Sequence, residues 1–275
     1  MDHQPFSVAI SVYKSDNAIF FDRALESITE LQTIVPDEIV LVVDGPVGDD
    51  INQVVDKYSQ KYHFKVIRLE QNGGLGNALK IATENCSNEL IARMDSDDVA
   101  TNNRFEQQLE AFKNNPNLDI VGGDISEFIV EEKNIVSHRV VPSSDKDIKG
   151  AIKKTCPFNH MTVMFKKTAL MKAGGYLEWH YNEDYYLWIR MYLSGAIFAN
   201  TGTTLVNVRT GKDQYKRRGG IKYYKSEKGI QKLLLESGII KKSLYRKNVL
   251  KRFIVQVLTP SFLRGFIYKK FARKK

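Results

Sequence analysis

Residues Ile91–Ala100 read IARMDSDDVA. The apolar run Leu90 to Ala92 has the character of a buried strand, and it ends in Asp95-Ser96-Asp97-Asp98, three carboxylates at one tip. Like charges crowded where a chain leaves the core repel one another unless a cation or a hydrogen-bonded ligand neutralises them. A hard divalent ion carried by a phosphorylated substrate suits this task, because Mg²⁺-type ions take one or two protein carboxylates and fill their shell with phosphate oxygens.

Working outward, the first half of the chain alternates strand and helix patterns. Strands are expected at Phe6–Tyr13, Glu38–Val43, Lys65–Leu69, Leu90–Met94 and Ile120–Gly123. Helices are expected at Ala18–Ile34, Ile51–Tyr62, Gly73–Asn85 and Asn102–Asn114, the last stopped near Pro116. Such alternation predicts an α/β protein with a mostly parallel, doubly wound sheet, whose ligands bind beyond the carboxyl ends of the strands. Asp44 and Asp95 both close strands, so both should face one crevice. The second half is less regular. Glu127–Glu132 and Ile135–Val141 read as an antiparallel pair, Met161–Phe165, Ile197–Ala199 and Thr204–Val208 as strands, and Glu183–Tyr192 as a helix. After Gly219-Gly220 the pattern turns helical and basic. The division expected is 1–218 for the α/β domain and 219–275 for a basic helical extension.

Charge is split along the same line. Residues 212–275 hold 20 of the 41 Lys and Arg but 3 of the 32 Asp and Glu, a balance of +17 against −8 for the rest. That asymmetry points to an anionic partner for the tail or to a solvated basic helix face. The longest charge-free run near the end, Phe253–Leu263, is far short of the roughly 18 residues that span a bilayer. Phe262, Leu263, Phe266, Ile267 and Phe271 suit an interfacial helix or a face packed in an oligomer. No signal peptide is visible, and Cys86 and Cys156 form no disulfide framework, so a reduced cytoplasmic setting is expected.

Four motifs in order give these features a family resemblance: FSVAISVYKSD (6–16), EIVLVVDGPVGDD (38–50), RLEQNGGLGNALKIA (68–82) with ELIARMDSDD (89–98), and GGYLEWHYNEDYYLWIRM (174–191). Over roughly residues 6–210 the chain resembles the family-two glycosyltransferases of the GT-A fold, the bacterial enzymes of capsule, O-antigen and other surface polysaccharide synthesis above all. The resemblance implies an inverting, metal-dependent hexosyltransferase. A UDP-hexose (galactose, glucose or an N-acetylated relative) would donate to a glycan acceptor linked through diphosphate to a polyprenyl lipid. It places the enzyme at the inner face of the cell membrane, peripherally, with homo-oligomer contacts through the C-terminal helices as an alternative use of the tail. Nucleic acid is not expected as a partner. The MDSDD, HxxVMF and EDYxLW pattern is most similar to β-1,3-galactosyl or N-acetylhexosaminyl transferases.

Carried over residue by residue, the resemblance makes Asp97 the ligand of Mn²⁺ or Mg²⁺ and puts Asp95 and Ser96 at the donor's ribose or metal shell. Ser11, Val12, Tyr13, Asp44, Asn72 and Gly74 would line the nucleoside pocket. A carboxylate at Asp44 can accept the uracil N3–H, or it is a turn residue before Gly45-Pro46. Leu79 stands where relatives often carry arginine. Tyr13 can stack on the base or sit in the core, and Arg93 can pair with the carboxylates or with the diphosphate. Asp98 orients a metal-bound water or caps the next helix. Asp184 becomes the catalytic base, since an inverting transferase needs a carboxylate opposite the leaving group to take the acceptor's proton. Glu183, Trp188 and His160 fall on the acceptor or diphosphate side. Arg209 and Lys212 belong to a basic loop able to close over phosphates.

Two other enzyme classes fit less well. A sugar-phosphate nucleotidyltransferase wants its glycines just after the first strand, yet here they arrive at Gly73. A haloacid-dehalogenase phosphatase wants Asp-x-Asp-Gly-Thr, and Val99 follows Asp98. A nonenzymatic basic scaffold explains the tail but leaves Asp44, Asp95, Asp97 and Asp184 without a purpose.

Overall fold

The computed structural model describes residues 3–211 and 219–260. Its first half contains β1 (Phe6–Val12), α1 (Ala18–Ile28), β2 (Glu38–Val43), α2 (Asp49–Ser59), β3 (Phe64–Arg68), α3 (Leu75–Asn85) and β4 (Leu90–Met94). These four strands are parallel in the order β3-β2-β1-β4. The chain steps outward from β1 to β3 and then returns to the other side of β1. That reversal is a topological switch point, and a crevice opens there at the strands' carboxyl ends. β2 and β4 are buried along their whole length, which is why both read as unbroken apolar runs rather than alternating ones.

Helix α1 begins where expected, with the Asn17 side chain accepting from the Ile19 and Phe20 N–H groups. It stops at Ile28, short of the expected Ile34. The Thr29 hydroxyl turns back to Leu25 O at 2.7 Å, and Gln32 ties the descending chain to Ser27 O and Thr101 O.

The second half supplies β5 (Val99–Ala100), α4 (Arg104–Asn114), β6 (Ile120–Phe128), β7 (Ile135–Arg139), α5 (Asp145–Ala151), β8 (Met164–Lys166), α6 (Lys167–Lys172), α7 (Glu183–Leu193) and β9 (Phe198–Arg209). β8 runs antiparallel between β4 and β6, β9 lies parallel to β6, and β5 closes the edge on β9. The expected hairpin exists, but its first arm is the far end of β6, pairing Phe128 with Ile135. The two short strands expected at 197–208 are one strand, β9; register shifts against β6 between Gly122 and Ile125 absorb its polar middle. Residues His160–Thr162 form a single 3₁₀ turn ahead of β8, where a longer strand is expected.

Beyond Gly220 come α8 (Ile221–Glu236) and α9 (Lys242–Phe253), followed by a wider helical turn over Ile254–Leu258. The C-terminal helices share the α/β core: Ile230, Leu234 and Ile240 pack into the cluster that holds Leu187, Trp188 and Phe165. Trp179 lies so close to α8 that a Cβ on Gly229 would fall 2.7 Å from its ring. A buried polar seam joins the two helices, with Arg252 Nε donating to Glu227 at 2.5 Å and Asn248 donating to Gln231 at 2.7 Å and Lys153 O at 2.9 Å. Lys212 and the apolar side chains from Phe262 to Phe271 lie outside the described residues.

Candidate active site

Asp44 leaves β2 buried and held by three donors. Its carboxylate accepts from Gly73 N at 2.7 Å, Gly74 N at 3.0 Å and Asn72 Nδ2 at 2.9 Å. Gly45 makes this clasp possible: its φ is +85°, and a Cβ there would sit 2.7 Å from Asn72 N. Three donors leave about one carboxylate lone pair for a further partner. The clasped loop leads into α3, and Gly76 lies against Leu177, Glu178 and Glu183, with a Cβ there 3.8 Å from that of Glu183. So the Asn72–Gly76 loop touches the segment that carries Glu183 and Asp184.

On the other side of β1 lie the acids of the 95–98 loop. Ser96 Oγ donates to Asp16 at 2.8 Å, and Asp16 also accepts from Tyr13 N at 3.1 Å. This ties the end of β1 to the end of β4 across the switch point. Asp16 is a fourth acid of the cluster that sequence reasoning missed; its place three residues after Tyr13 in the VYKSD motif is the signal. Burial raises its pKa, as Asp95 does more weakly. Asp97 reaches solvent, yet its carboxyl is pushed up to about 6, first by loss of water around it and then by Asp95 and Asp16. Asp98 is buried, accepts Arg209 N at 2.9 Å and is raised further by burial and by Asp95 and Asp97. It caps no helix, since α4 begins at Arg104 after Asn103. Among the described residues no three His, Cys, Asp or Glu side chains converge as a ready cage for a metal.

Arg93 pairs with Asp95 from below and is 2% exposed. Its Nε and Nη1 have no hydrogen-bond partner among the described residues. Its charge also reaches Asp97, Asp98, Glu183 and Asp184, lowering the pKa of each. Arg104, another residue sequence reasoning missed, is fully buried and donates to Arg93 O at 2.6 Å. Burial and Arg93 push it down to about 9.

Helix α7 closes the site with Glu183 and Asp184 in its first turn. Burial pushes Glu183 up to about 7 and raises Asp184 as well, outweighing the helix N-terminus. Asp184 Oδ2 takes a hydrogen bond from the Cys156 thiol at 3.4 Å. Burial, with Asp184 beside it, keeps that thiol protonated. His160 Nε2 lies 2.9 Å from the Tyr176 hydroxyl, and burial together with Arg93 keeps the ring neutral. Trp188, expected at the acceptor, is wholly buried and packs edge-on against Phe158 and His160, so it supports the wall without forming its surface. Arg209 ends β9 with its guanidinium between Phe20 and Phe128, and its Nε donates to Asp97 O at 3.2 Å. It holds the acidic loop in place. Ser11 and Val12 end β1 beside Tyr13, which is 41% exposed and open to a ligand's flat face. A shallow hollow at the opposite ends of β1 and β2, lined by His3, Thr33 and Asp37, shares none of these groups.

A 3-2-1-4 sheet with acids at its switch point, faced by a helix headed by carboxylates, agrees with a glycosyltransferase of the GT-A fold, and similarity to known proteins establishes that class. Residues 7–173 match Glycosyl transferase family 2, and the chain belongs to that family. It is 37% identical over 275 residues, 99% of this chain and 98% of the relative, to the UDP-Gal:alpha-D-GlcNAc-diphosphoundecaprenol beta-1,3-galactosyltransferase of Escherichia coli. It is 35% identical over 271 residues, 96% and 98% of the two chains, to the amylovoran biosynthesis glycosyltransferase AmsE of Erwinia amylovora. Among solved structures, S. aureus TarS 1-349 in complex with UDP-GlcNAc is similar in fold, with a TM-score of 0.65 at 20% identity over 91% of this chain and 73% of that one.

Proposed function

We propose that this glycosyltransferase moves a hexose, galactose first among the candidates, from a UDP-sugar to a hydroxyl of a lipid-linked diphosphate glycan, with inversion. One observation carries the reading. Asp184 heads a helix whose first turn meets the nucleotide-side loop at Gly76, while Arg93 beneath them pairs with Asp95. The printed activity of the E. coli relative supports the choice of donor and acceptor.

In this reading the uracil meets Tyr13 and the remaining lone pair of Asp44, and the ribose lies near Asp95 and Ser96. Asp97, with Asp95 beside it, would hold Mn²⁺ or Mg²⁺. Burial, and after it the crowding by Asp95 and Asp16, lifts Asp97 to about 6, and carboxylates crowded in this way fit such an ion. The ion would supply positive charge to the departing diphosphate. Asp184, steered by the Cys156 thiol, accepts the proton of the attacking hydroxyl, and Arg93 offsets part of the burial that raises the carboxylates on both sides. His160 and Arg209 shape the pocket.

The extension serves as a peripheral membrane contact. No described helix is long and apolar enough to cross a membrane. The exposed Leu250, Ile254 and Leu258 recur at helical spacing beside the exposed Lys247 and Lys251, which suits an anionic lipid surface. Self-association through that face is the competing use.

The test is transfer from UDP-galactose to a soluble α-GlcNAc-diphosphate carrying a short alkyl chain, with and without EDTA. Product stereochemistry is read by NMR. Asp184→Asn should keep UDP affinity while transfer falls roughly 10²–10⁴-fold. Loss of UDP binding in that variant would move Asp184 to the donor side, and turnover undiminished by EDTA would remove the metal.

A further inference from the structure

The turn ahead of the candidate base presents an aromatic ring that no part of the proposed chemistry uses. Tyr181 has φ +58°, a left-handed backbone that is strained for any residue with a Cβ. Yet its ring is 56% exposed, so core packing does not explain the strain. The conformation is held from behind. Asn182 N donates to Trp179 O at 3.0 Å, closing the turn. Ser226 of α8 then pins it: its hydroxyl donates to His180 O at 2.6 Å and accepts from Asn182 Nδ2 at 3.0 Å, while Trp179 Nε1 donates to Ser226 O at 3.3 Å. The His180 ring backs Tyr181 at a centroid distance of 4.3 Å, and Tyr223 stands 6.4 Å away. Strain kept by surrounding contacts is characteristic of ligand clamps.

Resting on the glycosyl-transfer reading above, we propose that Tyr181 is the platform on which the acceptor's pyranose ring lies. Tyr181 stands three residues before Asp184, in the turn just ahead of Asn182, the N-cap of the helix that carries the base. A sugar's C–H face is apolar and flat enough to lie on a phenol, while its rim of hydroxyls wants polar partners, and a tyrosine held by a rigid turn gives up little conformational freedom on contact. Stacked there, the acceptor would point one hydroxyl toward the base. The ligand class is thus a pyranoside, and the platform is a determinant of acceptor and not of donor.

The experiment compares wild type with Tyr181→Phe, Tyr181→Ala and Tyr181→Gly. It uses UDP-galactose and the soluble α-GlcNAc-diphosphate, with acceptor-free UDP-galactose hydrolysis and thermal melting alongside. Tyr181→Ala should raise the acceptor KM about tenfold or more, with the donor KM and hydrolysis within about twofold of wild type; Tyr181→Phe should stay within about threefold throughout. Tyr181→Gly, which accepts the left-handed backbone, should melt above Tyr181→Ala yet share its raised KM. Unchanged acceptor KM in Tyr181→Ala, or a KM restored in Tyr181→Gly, overturns the platform while leaving the transferase reading intact. A wild-type enzyme that neither transfers nor hydrolyses UDP-galactose refutes the galactosyl reading, and the platform falls with it.

Discussion

Arg93 and Arg104 lie beneath the carboxylates with almost no contact with water, and the charge of Arg93 reaches Asp97, Asp98, Glu183 and Asp184. A guanidinium can stay charged there where a lysine would give up its proton. Even so, Glu183 remains pushed up to about 7 because burial outweighs Arg93. Its folded form thus holds a proton that the unfolded chain releases near 4.5, so stability is highest at low pH and falls as pH rises between about 4.5 and about 7. Glu183→Gln removes that penalty. At pH 8 it should raise the melting temperature, with a ceiling of ~3 kcal/mol, and at pH 4 it should change little. Equal shifts at both pH values would show that Glu183 is not buried in the way described. Much at this scale was legible beforehand: Asp44 follows the end of β2, Asp95 follows the end of β4, and Asp184 stands in the first turn of α7, each at the element end expected of it. Asp16, Arg104 and Cys156 were not, because a charged or thiol side chain announces nothing about burial until its neighbours in space are known.

The turn after β2 is the element on which the clasp around Asp44 depends. Gly45 lets the chain reverse against Asn72, so that three donors can close on Asp44. Gly45→Ala meets both a left-handed φ and a backbone atom that cannot step aside. UDP affinity should drop about tenfold or more, read by calorimetry, with Asp95 and Asp97 untouched; unchanged affinity would separate Asp44 from nucleotide binding. Elements buried on both faces were the easiest to read, as the matched limits of β2 and β4 show. Short or bent ones hid. β5 has two residues and β8 three, too few to display a period, and β9 reads as two strands because Asn200–Thr203 interrupts its apolar run. Helix α1 overran because its pattern continues to Ile34 while side-chain bonds to the backbone end it sooner.

Across the whole molecule the charge is segregated, with an acidic α/β body and a basic end. In the reading proposed above, this segregation and the exposed Leu250, Ile254 and Leu258 would orient the enzyme on an anionic membrane surface. Reversing Lys247 and Lys251 to Glu should weaken binding to vesicles containing anionic lipid by about thirtyfold, at ~1 kcal/mol for each lost lysine contact. Turnover of a soluble acceptor should stay within about twofold. Vesicle binding that is unchanged, with a smaller particle by light scattering, would assign the face to self-association. The single serine that α8 sends to the turn before α7 has a practical corollary. Anyone grafting acceptor preference between relatives must exchange the 174–191 and 221–236 stretches as a matched pair, because either one alone would meet a foreign counterpart at the seam.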